Sequence, residues 1–252
     1  IDMACYDIAS KAADMPLYRY LGGETGAVHS DVTIGIGTPD EMAEKALEWI
    51  EKGFTILKIK LGEDIETDLA RMEAVRRAAG PSISLRIDAN QGWSVKDSLR
   101  IIPELEGLGV GLIEQPVAAW DYEGLKEIRQ AVRLPIAADE SCHSPMDAAR
   151  LASMRAVDFI NIKLMKCGGI YNAIKINAVA EASGISCMIG CMGESALANV
   201  AGMHVAAALD NIKEVDLDSV YILSDKRAHG GFDHEGGKAV LWNTPGIGVS
   251  LD

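Results

Sequence analysis

Lys58 and Lys60 stand two residues apart in a short apolar run, Phe54-Thr-Ile-Leu-Lys-Ile-Lys-Leu-Gly62. The run's length, its β-branched residues and its closing glycine predict a buried strand. Residues two apart on a strand point the same way, so two ammonium groups would share one interior. That is costly unless counter-charges or chemistry require it. The bland alternative is a pair of snorkelling lysines on an edge strand, but Ile56, Leu57, Ile59 and Leu61 leave no polar face beside them. Further along, other apolar runs also end on ionisable residues: Asp88, Glu114, Asp139, Lys163 and Asp216. From Lys60 to Lys163 these fall 24 to 28 residues apart. Any one of them suits a helix cap or a strand end; Asp, Glu and Asp on successive runs, flanked by lysines, exceed what capping needs.

Three carboxylates converging in a partly buried site repel one another. A hard divalent cation with oxygen ligands relieves this, and octahedral Mg2+ is the natural choice. Such an ion can hold a substrate carboxylate and stabilise the enediolate formed when the neighbouring carbon loses a proton. Removing that proton needs a base. A free lysine titrates near about 10.4 and must fall toward ~7–8 for the task; Lys58 beside Lys60, together with the cation, would depress it. Lys60 and Lys163 on opposite faces of one carbon would carry out a 1,1-proton transfer, that is, epimerisation or racemisation. Lys166 is a rival to Lys163 but should fall past the strand end. Asp216 and Asp218 repeat the two-residue spacing with negative charge and make a receptor for a substrate ammonium group; an acid pair at a loop entry or helix cap is the bland reading.

The elements that must position these groups alternate. Strands are predicted at 31–36, 54–61, 83–88, 110–114, 135–139, 158–163, 185–190 and 212–217. Helices are predicted at about 39–52, 64–79, 94–107, 121–132, 145–154, 169–183 and 194–208. This is the βαβ pattern of a parallel α/β sheet, and its length suits a TIM-like barrel with the marked residues on its active face. An open doubly wound sheet would want a Gly-rich phosphate turn, to which Gly35-Ile36-Gly37-Thr38 is a weak match. Residues 1–20 read as a helix stopped at Leu21-Gly22-Gly23. Residues 221–252 read as a tail carrying the short apolar run Ala239–Trp242, and their His229 and His234 as exposed loop histidines rather than metal ligands.

The 252 residues carry a formal charge of −13 and 48% hydrophobic residues, which argues against nucleic acid or an anionic membrane as partner. No run approaches a membrane span and no signal peptide opens the chain. Five scattered cysteines read as thiols of a reducing cytoplasm. Cys187 and Cys191 read as core thiols, since no nearby histidine completes a zinc site.

Lys58-Ile-Lys60, Asp88-Ala-Asn90, Ile113-Glu114-Gln115-Pro116, Ala138-Asp139-Glu140-Ser141 and Asn161-Ile-Lys163-Leu-Met-Lys166-Cys-Gly-Gly169 together resemble the enolase superfamily, muconate-lactonizing subgroup, over nearly the whole chain. With Cys187-Met-Ile-Gly-Cys-Met192, Glu194 and Asp216-x-Asp218, the chain resembles dipeptide epimerases of the L-Ala-D/L-Glu type. The resemblance implies a (β/α)7β barrel at 28–220, preceded by a linker helix at 1–27 and followed by the 221–252 tail. It implies one Mg2+ on Asp88, Glu114 and Asp139, and Lys60 and Lys163 as the acid/base pair with Lys58 beside them. Asp216 and Asp218 would hold the dipeptide ammonium, Met192 would line the substrate, and Asn90, Glu140 and Lys166 would support the inner residues. A homo-oligomer is a further expectation. The family's N-terminal α+β capping domain is expected to be missing from this chain. Muconate cycloisomerase-like or o-succinylbenzoate synthase-like chemistry, and a non-catalytic barrel needing a separate capping chain, are the alternatives.

Overall fold

The computed structural model describes residues 1–223 and 227–252; Ser224, Asp225 and Lys226, within the expected tail, lie outside the described residues. Eight strands form one parallel sheet in sequence order, and each of the strands and helices read from the sequence is present to within about two residues. The chain divides into two compact units, Asp31–Ile160 and Ile1–Ser30 with Asn161–Asp252.

The first unit runs β1 (Val32–Ile34), α1 (Pro39–Glu51), β2 (Ile56–Lys60), α2 (Ile65–Ala79), β3 (Ser84–Asp88), α3 (Val95–Gly107), β4 (Val110–Glu114), α4 (Tyr122–Ala131), β5 (Ile136–Ala138) and α5 (Pro145–Met154), and ends within β6 (Phe159–Lys163). Its helices start where side chains cap them. Thr38 and Glu41 form a reciprocal capping box ahead of Pro39, and Asp64, Ser94, Asp121 and Ser144 each accept a first-turn N–H. The parallel register sets Lys60 opposite Asp88 and Asp88 opposite Glu114, so the charged strand ends lie level. Leu57, Ile59, Ile87 and Ile113, beside them, are buried.

The second unit holds the rest of β6, then α6 (Ile170–Ala182), β7 (Ser186–Gly190), α7 (Ala196–Ala208) and β8 (Ile212–Asp216). Helix α7 is buried continuously from Ala198 to Val205. In its middle His204 accepts the Tyr18 N–H on Nδ1 at 3.0 Å, and its Nε2 faces the Ile247 carbonyl at 3.1 Å.

Two expectations change here. The opening helix is two, Asp2–Ala12 and Leu17–Tyr20: Asp14 turns left-handed (φ 54°), and Pro16 restricts the residue before it. The final segment is built of strands: Lys238–Leu241 pairs antiparallel with both Ala27–His29 and Phe232–Glu235, and Ala228–Gly230 with Val249–Leu251. His229 and His234 therefore lie on strands, though both are exposed. Among the described residues no helix is long and apolar enough to cross a membrane, and no cysteine forms a disulfide.

Candidate active site

In the first unit, Lys60, Asp88 and Glu114 end β2, β3 and β4, and Asp139 follows β5 by one residue. All three carboxylates are buried, and one oxygen from each lies within 4.8 Å of the others. Among the described residues this is the one group of three or more side chains able to hold a metal ion. Three hard oxygen donors so close, with no sulfur or imidazole among them, fit a hard divalent cation such as Mg2+.

The two lysines of β2 reach the same carboxylates. Lys58, 1% exposed, places Nζ 3.1 Å from Asp88 Oδ2 and 2.9 Å from Glu114 Oε2. Lys60 is more open; its Nζ donates to Asp88 Oδ2 at 2.6 Å and to Asn90 Oδ1 at 2.8 Å. Asn90 donates in turn to Glu140 Oε1 at 3.3 Å, and its N–H to Asp88 Oδ1 at 2.9 Å. Burial works against the Asp88 charge, and so does Asp139, but Lys58 and Lys60 override both and hold its carboxyl below the ordinary value. Asn90, Gln91 and Gln115 all take positive φ. These left-handed turns follow directly on metal-candidate strand ends, where backbone strain gathers at functional sites.

The second unit carries Lys163 at the end of β6, buried to 6% exposure. An ideal Cβ on Gly190 would lie 3.1 Å from Lys163 Cε and 2.7 Å from Asn161 Oδ1, so a side chain there would displace Asn161 and crowd the lysine. Lys166 sits past the strand, in Leu164–Cys167, and donates to the Asn161 carbonyl at 2.9 Å. Glu194 is buried and accepts the Met192 N–H at 2.9 Å. Burial raises its carboxyl, partly offset by that N–H and by Lys163. The Met192 side chain is exposed.

Asp216 ends β8, but Asp218 lies beyond it, capping the short helix Ser219–Ile222 with helical backbone angles. The two acids are thus not residues of one strand face. Cys191 lies beside Asp218. Its thiol lies 3.6 Å from Asp218 Oδ1 and 3.1 Å from Ser219 Oγ. Burial, then Asp216 and Asp218, push it up to about 12. By accessible surface Cys191 is partly buried, just past the end of β7 and beside Asp218, unlike Cys187 in the core. Ser219, which donates to the Met192 carbonyl at 2.6 Å, was not legible in the sequence. Cys191 was legible only as a core thiol, which its partial burial and its contact with Asp218 correct.

Residues 41–252 match the Enolase C-terminal domain-like family. An L-Ala-D/L-Glu epimerase of Clostridium acetobutylicum is 44% identical over 99% of this chain and 70% of its own length. The crystal structure of an Enterococcus faecalis dipeptide epimerase complexed with Mg and the dipeptide L-Leu-L-Tyr matches with a TM-score of 0.96 and 46% identity, over 99% of this chain and 71% of that one. The substrate-liganded L-Ala-D/L-Glu epimerase of Bacillus subtilis matches with a TM-score of 0.96 and 42% identity, over 98% and 70%. The fold is the enolase-type (β/α)7β barrel, and the chain belongs to the Enolase C-terminal domain-like family.

Proposed function

We propose that the protein is a Mg2+-dependent dipeptide epimerase that inverts the α-carbon of the dipeptide's C-terminal residue. The observation that carries this reading is the buried Asp88, Glu114, Asp139 cluster contacted by Lys58 and Lys60. It occurs in a chain 42–46% identical to dipeptide epimerases along nearly its full length. Asp88, Glu114 and Asp139 would hold the ion, which when bound supplies positive charge for the substrate carboxylate and for the negative charge that develops there. Lys60 and Lys163 form the acid/base pair: one removes the α-proton as a neutral amine, the other returns a proton as an ammonium, and the next turnover runs in reverse. Lys58 stays an ammonium and opposes the negative charge of the enediolate. Asp216 and Asp218 receive the dipeptide ammonium, and Met192 lines the substrate. Asn90 orients Lys60 and is itself held by Glu140, and Lys166 braces Asn161 beside Lys163. The same reading places the enzyme in the cytoplasm, which cysteines without disulfides support. It extends to a homo-oligomer, checked by sedimentation.

Proton NMR of a dipeptide panel including L-Ala-L-Glu and L-Leu-L-Tyr, in D2O with Mg2+, tests the proposal. Mg2+-dependent loss of the C-terminal α-proton signal and appearance of the diastereomer support it. An N-acylated amino acid racemised in preference to every free dipeptide would replace it with a reading in which no substrate ammonium is bound.

A further inference from the structure

Asp68 lies on α2, one turn past its cap, and is fully buried. No part of the proposed chemistry uses it. Its Oδ2 accepts three hydrogen bonds: from Gly62 N at 2.9 Å, Glu63 N at 3.0 Å and Trp93 Nε1 at 3.0 Å. Its Oδ1 accepts Arg71 Nη1 at 2.9 Å, and that guanidinium also donates to Glu63 Oε2 and to the Gly37 carbonyl. A carboxylate this deep is costly unless charge-assisted bonds compensate it; Arg71 supplies one from the same helix, and the other partners belong to particular loops. Gly62 and Glu63 are the backbone just after Lys60. Trp93 closes the turn that carries Asp88 and Asn90, and its own N–H donates to the Pro116 carbonyl after Glu114.

The two loops meet without slack. An ideal Cβ on Gly62 would lie 2.1 Å from the Ala89 carbonyl oxygen, and one on Gly92 would lie 2.1 Å from the Gly62 carbonyl oxygen. Leu61 N donates to the Asp88 carbonyl at 2.9 Å. Lys60 ends β2 just before one loop and touches Asp88 and Asn90 where the other begins, so its amine position depends on how those loops are joined, and Asp68 is a side chain that joins them.

We propose that Asp68, through the Trp93 indole, is a positioning residue for the reaction, holding the Lys60 amine in register with Asp88 and Asn90. The proposal rests on the epimerase reading for its kinetic consequence but not for its structural one. Trp93→Phe removes only the indole donor, and Asp68→Asn removes the charge and turns one of the two acceptor oxygens into an NH2 donor. Two measurements follow. Crystal structures of wild type, Trp93→Phe and Asp68→Asn, each loaded with Mg2+, report the contact of Lys60 Nζ with Asn90. In D2O, α-proton exchange is followed separately for each epimer, and Lys60→Ala identifies the epimer that Lys60 serves. We expect loss of the Lys60–Asn90 contact and a kcat about tenfold lower with KM little changed. Exchange of the Lys60-served epimer should be slowed more than that of the other, since a general loss of structure lowers both alike. Retention of the contact in Trp93→Phe and Asp68→Asn, or an equal fall in both exchange rates, overturns the assignment. If wild-type enzyme exchanges neither epimer, the epimerase reading fails while the crystallographic contact still decides this one.

Discussion

Lys60 Nζ lies 2.6 Å from Asp88 Oδ2, an oxygen that Lys58 also reaches at 3.1 Å. One carboxylate of the candidate metal cluster is thus shared by both lysines of a single strand. The proposed base Lys60 and the candidate metal-binding carboxylate of Asp88 are therefore electrostatically linked.

Replacing either lysine of the acid/base pair should abolish epimerisation, by more than about a thousandfold. Each of Lys60→Ala and Lys163→Ala should retain α-proton exchange from one epimer only, and from opposite ones. Deuterium incorporation into each epimer, followed by NMR, checks this; exchange of both epimers by both variants would rule the pair out.

Lys58 holds Asp88 and Glu114 together. In metal-free protein, Lys58→Met should cost about 3–5 kcal/mol, the usual penalty for leaving a buried charge without its partner. Saturating Mg2+ should stabilise the variant more than wild type, because the ion no longer competes with an ammonium for the same oxygens. Urea titrations with and without Mg2+ measure both effects.

Gly190→Ala places a methyl against Asn161 and Lys163 Cε. The displaced amine should lower kcat by about 10–100-fold, with Mg2+ affinity by calorimetry unchanged. An unaltered kcat would show that Lys163 needs no such confinement.

Asp216→Asn and Asp218→Asn should raise KM for free dipeptides by about 10–100-fold, as expected when one partner of a charge pair is removed. They should leave turnover of an N-acetylated dipeptide, which carries no ammonium, unchanged. Equal effects on both substrates would count against an ammonium receptor here.

His204 is held down to about 4 from an ordinary 6.5, chiefly by burial. Its Nδ1 already accepts the Tyr18 N–H, so a proton there would set two donors against each other. Between pH 6.5 and about 4 the unfolded chain binds a proton that the folded chain refuses. Stability therefore falls as pH drops through that window, by up to about 1.4 kcal/mol per pH unit. His204→Gln should flatten this slope, read as the difference in urea stability between wild type and variant across the window.

The sequence by itself determined the alternation of strands and helices and the charged residue at each strand end. Both rest on local rules, since apolar runs, caps and turn glycines act within a few residues. Lys58, Lys60, Asp88, Glu114 and Asp139 were legible because a repeating unit delivers strand ends at regular intervals. Only tertiary structure decided what those groups touch. That Lys58 bridges Asp88 and Glu114, that Asp68 accepts the Trp93 indole, and that Cys191 reaches Asp218 depend on contacts between residues 25 or more apart in sequence. The same holds for the final strands, whose pairing of Lys238–Leu241 with Ala27–His29 joins the two ends of the chain. Neither segment carries a long enough apolar alternation to announce itself, because Ala27–His29 finds its hydrogen-bond partners only in Lys238–Leu241, which takes its own from both neighbours in that sheet.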